Sequence, residues 1–348
     1  AYFQTALYTG NQTARSITND GNSDLQPDWV WDKNRTTSGY HHNLYDSTRG
    51  TGKQLRSNTN DAEITQAQGL TAFNSDGFSL GTDDSSNKTS SEYVAWQWKA
   101  NGGTTASNTD GSITSTVQAN TTAGFSIVTY TGTGSAATIG HGLSSEVAML
   151  IVKKRDAGSH DGHWTVWHKG LSSPQHDEVL FLNLTNAEGD VSNDTYWNGA
   201  NPTSSVFSVN TNENLNENTS GHVAYCFAEK KGYSKFGSYT GNGNADGPMV
   251  FCGFKPAWVM IKRTDASAEW HIWDNKREDY NGNSNDTALR ANNNNAESDS
   301  TDYSIDFLSN GFKLRNASNL DNASSSTQIF MAFAESPFVS SEGVPTTA

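Results

Sequence analysis

The chain has 348 residues, of which 34% are hydrophobic and only 17% charged, and its net charge is −14. An acidic surface repels phosphate, which argues against nucleic acid as a partner, and no apolar run approaches the length of about 18 residues that a membrane-spanning helix needs. Low charge density also argues against charge-driven disorder, while ten Trp, twelve Tyr and fifteen Phe can bury large surfaces.

Aromatic and β-branched runs alternate with Gly, Asn, Ser and Thr, the residues that make turns, so the reading is an all-β chain of short antiparallel strands. Residues 1–100 begin with LYTG at Tyr8, followed by PDWVWDK ending at Lys33 and NLYD around Tyr45. LRSNTNDAE then carries Asn58 and Glu63, DGFSLG contains Phe78, and YVAWQWK runs to Trp98. Residues 101–124 read as a linker with one extra strand, Ser112 to Val117, turning at Asn120 to Gly124. Residues 125–236 repeat the series with FSIVTYTG at Tyr130, VAMLIVK ending at Lys153 and HWTVWH. LFLNLTNAE follows with Asn183 and Glu188, then SVFSVN at Phe207 and HVAYCFAE at Phe227. Residues 237–338 open with SYTG at Tyr239, PAWVMIK ending at Lys262 and EWHIWD. They continue with LRANNNNAE (Asn292, Glu297), NGFKLR at Phe312 and IFMAFAE at Phe333, and residues 339–348 form a loose tail.

Each third block has Leu, Asn three residues later and Ala-Glu at seven and eight. The step from the fourth-block Phe to the last aromatic is 20, 20 and 21 residues. Blocks in constant order at near-constant spacing imply an internal repeat. Three tandem β-sandwich-like units are expected, with residues 6–100, 125–232 and 237–337 superposing. Alternation in Phe125, Ile127 and Thr129, and in Trp29 and Trp31, suggests strands buried on one face.

Little in the chain points to catalysis. Glu63, Glu188 and Glu297 recur, but glycoside hydrolysis needs two carboxylates and no second acid recurs beside them. They are expected to accept backbone N–H groups of nearby loops, with a contact between neighbouring units as the alternative. Asn58, Asn183 and Asn292 are expected to form turns. No cofactor is implied, although two oxygen-rich strings could ligate calcium: Asp20, Asn22 and Asp24, and Asp279, Asn281, Asn283 and Asn285. The pair His160 and His163 lacks the further ligands of a zinc site, His41-His42 and His176-Asp177 read as solvated loops, and Cys226 and Cys252 read as buried thiols. Trp29, Trp258 and Trp273 read as core rather than sugar platforms.

GSITSTVQANTTAGFSIVTYTGTGSAATIGHGL, YSKFGSYTGNGNADGP and PAWVMIKRTD resemble stretches that recur in structural proteins of tailed marine bacteriophages, often tail-fibre or virion proteins with repeated β domains. The resemblance covers residues 2 to about 338 and implies a non-enzymatic virion component on the particle exterior, tail-associated and fibre-like. Alternatives are a carbohydrate-binding host-recognition module and a capsid decoration protein. Other virion proteins, further copies of the chain in a homo-oligomer such as a trimer, and a host-surface glycan are the partners it implies. The N-terminal AYFQTALYTG lacks the basic and apolar segments of a secretory signal. That fits synthesis in a host cytoplasm and release within particles.

Overall fold

The computed structural model describes residues 1–157, 162–190, 195–277 and 286–335. Antiparallel strands dominate, as the turn-punctuated aromatic runs require. Helix among the described residues is limited to four-residue turns, Asp84–Asn87 and Glu213–Asn216, and two 3-10 turns.

Three large sheets are built in one order. In the first, the strands run Phe3–Thr9, Glu92–Trp98, Trp29–Asn34 and Asn43–Asp46 across the sheet. In the second, Phe125–Thr131, Gly221–Phe227, Met149–Lys154 and Thr165–His168 take the corresponding places, followed by Glu178–Phe181 and Gly189–Asp190. In the third, Ser234–Thr240, Thr327–Phe333, Trp258–Arg263 and Trp270–Asp274 do so, followed by Thr287–Arg290 and Ser298–Asp299. Each time the last long strand inserts between the first and the second. A smaller sheet accompanies each one, containing Arg15–Ile17, Ala137–Gly140 or Met249–Phe251 respectively.

The register distributes side chains between two kinds of core. In the first large sheet Trp29 and Trp31 point into a core shared by all three large sheets, while Val30 points into a private core under its small sheet. Met149 and Ile151 oppose Leu150 and Val152 in the same way, and Trp258 and Met260 oppose Val259 and Ile261. This corrects the expectation of strands buried on one face. Trp29–Asn34 and Met149–Lys154 are buried at every position, because each large sheet is covered by its small sheet on one side and by the other two large sheets on the other. Continuous apolar runs such as MLIV are what two-sided burial demands.

Aromatic rings join the sheets inside the shared core. Trp29 stacks on Tyr225 with centroids 4.4 Å apart, Phe227 meets Phe333 at 5.9 Å, and Phe333 meets Phe3 at 5.8 Å.

Residues 101–124 form two strands, Ala106–Asn108 and Ser115–Asn120, that extend the second large sheet. The expected strand at Ser112–Val117 therefore begins later. Ser112 and Ile113 are drawn off to the small sheet, where Ile113 N–H donates to Thr138 O at 3.0 Å and Ser112 and Thr138 exchange hydroxyl–amide bonds of 2.9 Å. The tail expected at 339–348 lies outside the described residues.

Candidate functional site

The thrice-written Tyr-Thr-Gly has the same environment at each occurrence. The hydroxyls of Tyr8, Tyr130 and Tyr239 donate to the carbonyls of Ser86, Leu215 and Asp321 at 2.9, 2.6 and 2.7 Å. Burial pushes all three phenols well above their usual range. A Cβ on Gly10, Gly132 or Gly241 would lie 2.2 Å from a carbonyl oxygen, of Lys88, Glu217 or Ala323. Asn87, Asn216 and Asn322 accept from the residue after each glycine at 3.0, 2.8 and 2.9 Å. Three residues beyond them Ser90, Thr219 and Ser325 all hold positive φ. These asparagines were missed in the sequence, although the strings NKTSS, NENTS and NASSS carried the signal. Gly132→Ala should cost about 1–3 kcal/mol through overpacking. Gly189→Ala is the control, since the nearest atom to a Cβ there is 3.8 Å away; equal denaturation midpoints for the two would refute the close-approach account.

Lys33, Lys153 and Lys262 are the penultimate residues of equivalent strands and have buried ammonium groups. Each donates to the carbonyl of the following residue, at 2.5, 2.7 and 2.6 Å. Lys153 and Lys262 also reach the preceding segment, at Asn60 O (3.4 Å) and Thr185 O (3.2 Å). Burial lowers Lys33 and Lys262 to about 8 and Lys153 to about 7. The unfolded chain then holds more protons than the folded one above pH 7, so stability should rise from pH 7 to about 9. Asp32, raised to about 7 by burial, has the opposite slope at the lower edge of that window, and Cys226 and Cys252, raised to about 12, have it at the upper edge, but the three lysines outweigh them. Urea titrations at pH 7 and 9 check the sign, and Lys153→Met should flatten the slope.

The segments meet at three seams through equivalent bonds. The backbone N–H groups of Glu63, Glu188 and Glu297 donate to Arg155 O, Thr264 O and Arg35 O, each at 2.8 Å. Trp164 Nε1–H donates to Arg56 O at 2.8 Å and Trp270 Nε1–H to Phe181 O at 3.0 Å. His42 occupies the corresponding place, with Nε2 2.9 Å from Arg290 O and Nδ1 accepting from Trp31 Nε1–H at 2.8 Å. That pair of bonds sets the tautomer as Nε2–H, and burial keeps the ring neutral. His42 is thus buried in a seam, not in a solvated loop, because its ring replaces an indole. Asn58, Asn183 and Asn292 brace these rings by accepting from the backbone N–H groups of His42, Trp164 and Trp270 at 3.1, 3.0 and 2.9 Å. The contacts run from first segment to second, second to third and third to first, and so form a closed cycle.

Side chains divide the seams into two kinds. Between the first and second segments, Glu63 takes bonds of 3.0 Å each from Arg155 Nε and Nη2 and one of 2.8 Å from Arg49. Arg49 also holds Asp46 at 2.5 Å, and Tyr225 Oη donates to Asp46 at 2.7 Å. Between the third and first, Glu297 receives Arg35 at 2.8 and 2.9 Å, Arg277 holds Asp274 at 2.6 Å, and Trp96 Nε1–H donates to Asp274 at 2.9 Å. Between the second and third, His168, Leu171, Thr264 and Met331 stand at the corresponding positions. His168 has Nε2 3.1 Å from Phe330 O, and burial lowers its pKa to about 3. Glu188 accepts from the backbone N–H and hydroxyl of Ser172.

The expected loop-stabilising role of the glutamates is therefore corrected for Glu63 and Glu297, whose carboxylates bind arginines across a seam. Only Glu188 accepts a backbone N–H from a loop of its own segment. Asp46 and Glu63 share Arg49, whose guanidinium lies between them, and Arg155 supplies the second positive charge at Glu63, so both carboxylates are occupied by arginines.

Of the calcium candidates, Asp20 accepts from Lys276 Nζ at 3.1 Å. Asp20 and Asp24 belong to no group of three His, Cys, Asp or Glu among the described residues that could hold a metal. Asp279, Asn281, Asn283 and Asn285 lie outside the described residues, as does His160, while His163 Nδ1 sits 2.9 Å from Asn183 Nδ2. Cys226 and Cys252 are buried free thiols, both raised to about 12 by burial. Trp29, Trp258 and Trp273 are buried and present no face to a sugar.

A family model described as a domain of unknown function (DUF7483) matches residues 1–337. No curated protein matches the chain, and no solved structure does.

Proposed function

This chain belongs to the DUF7483 family, whose model spans it nearly end to end, and from that premise we propose that it is a non-enzymatic structural protein of a virus particle. Its architecture is three copies of one β-sandwich unit closed on each other in a cycle. The observation that carries this reading is where the recurring residues are spent. Tyr8, Tyr130 and Tyr239 tie strands to turns, and the residues at Glu63, Glu188 and Glu297 join one segment to the next. A chain that repeats its polar residues for internal joints is built as a rigid part. The virion assignment, exterior and tail-associated, rests on the resemblance of three stretches to phage structural proteins.

Location in purified particles tests it. Cross-linking mass spectrometry should connect this chain to tail components, whereas links to the major capsid protein would make it a decoration protein. Absence from particles would sink the virion reading. A glycan array with the purified chain separates a receptor-binding role from a purely structural one.

A further inference from the structure

The cycle has three seams but only two linkers. Residues 99–124 connect the first large sheet to the second, and residues 228–233 connect the second to the third. The seam between the third and first segments has no covalent crossing at all. It is nevertheless as densely bonded as the others. Besides Glu297 and Arg35, Gly39 N–H donates to Asn294 O at 2.9 Å, Ser57 Oγ donates to Ala291 O at 2.6 Å, and Ala296 N–H donates to Ser38 Oγ at 3.0 Å. Trp98 packs edge-on against Trp258 at 5.5 Å and against Phe333 at 5.7 Å.

Faces that make the same backbone bonds meet between the first and second segments with a long tether, between the second and third with a short one, and here with none, and the long-tethered and untethered seams also share an arginine–carboxylate network. The chemistry of the faces therefore directs docking, and tether length does not. A face that recognises its counterpart without a tether cannot distinguish the counterpart in its own chain from that in another copy. The joint that exchange needs falls in residues 101–105, which are exposed and precede the strand Ala106–Asn108 on the second sheet; exchange would have to release or re-form the bonds of Gly102 and Gly103 N–H to Asp28, at 2.9 and 2.8 Å.

We propose that the first segment, residues 1–98, is exchangeable between copies, so that the partner fitted by the seam faces is a second copy of this chain. In the exchanged dimer each first segment sits on the second and third segments of the other copy, and every seam bond is kept. The inference rests on these contacts and is independent of where the protein resides. Charge across the untethered seam offers a direct test. Arg35→Glu alone sets two carboxylates against each other, and Glu297→Arg alone sets guanidinium groups against each other. Mixed one to one, the two variants regain opposite charges at both seams only by exchange. The Arg35 kept by one copy then meets the Glu297 kept by the other, and the two introduced side chains meet each other.

Each variant, mass-labelled differently, is unfolded, mixed and refolded, and the product is read by native mass spectrometry. The expected result is a heterodimer at least about tenfold more abundant than either homodimer, since a mispaired buried charge costs more than the corresponding free energy. The double variant Arg35→Glu with Glu297→Arg regains the pair across the seam within one chain and should refold as a monomer at low concentration, less stable than the unaltered chain because Arg277 lies 3.6 Å from Glu297. A mixture that yields no heterodimer, with the double variant folded, overturns the proposal. Should the single variants fail to refold, labelled and unlabelled copies of the unaltered chain are refolded together. Mixed dimer that increases over a hundredfold rise in concentration supports exchange, and monomer throughout overturns it.

Discussion

Replacing Trp29 with alanine should lower the unfolding free energy by about 3–5 kcal/mol, the range for deleting a fully buried large aromatic. Trp29 is 1% exposed and lies where the first two segments meet. Its ring is 4.4 Å from Tyr225, 4.6 Å from Trp98 and 5.9 Å from Phe125. The loss combines the transfer free energy of the indole with a cavity that rigid neighbouring sheets cannot close. Because Trp29 serves the shared core and not one sandwich, the urea transition should shift as a whole, without a new step for residues 1–98. Leu7→Ala is the control, since Leu7 is 39% exposed and its loss should stay within about 0.5 kcal/mol. A Trp29→Ala midpoint equal to that of Leu7→Ala would show that the shared core does not hold the segments together.

Arg49→Leu should cost about 3–5 kcal/mol, the usual effect of removing one partner from a buried ion pair. Arg49 and Asp46 have side chains fully excluded from solvent, and Arg49 also bonds Glu63 at 2.8 Å and Leu44 O at 3.2 Å. Without the guanidinium, Asp46 is left buried in the seam with Tyr225 Oη as its remaining side-chain donor. The protein already contains a neutral solution at the corresponding place, where His168 and Leu171 replace Asp46 and Arg49. The paired change Asp46→His with Arg49→Leu should therefore recover at least half of the loss. Equal destabilisation of the single and paired variants would mean that packing around Arg49, and not its charge, makes the seam. The asymmetry also shows that a buried arginine–carboxylate network is not required for a seam to form, since the second and third segments are bridged instead by a partly exposed one, Glu229 with Lys169 at 2.5 Å and Lys235 at 2.6 Å. The buried networks go with the long tether and the missing one, where a wrong docking is least hindered by the chain.

Much of this molecule was legible locally. Strand positions follow from aromatic runs between Gly and Asn turns, because a pleated strand and a tight turn depend on neighbours in sequence. The recurrence of Tyr8, Tyr130 and Tyr239 could be read as structural, since the hydroxyl and the following glycine serve the same strand and turn each time. Other features had no local signature. Arg49 and Arg277 complete their networks, but Leu171 at the corresponding position hides the pattern from any search for recurrence. Arg35 meets Glu297 and Arg155 meets Glu63 across separations of 262 and 92 residues. The shift of the expected strand from Ser112 to Ser115 has the same origin, a distant small-sheet edge that captures Ile113.

Side-chain period and backbone sterics, both written in the order of the residues, settle which segments become strands, how those strands recur and which glycines their turns require. The burial of the large sheets on both faces, and the action of Glu63 and Glu297 across seams, were settled only in the folded molecule, because both depend on which surfaces meet after the strands have formed.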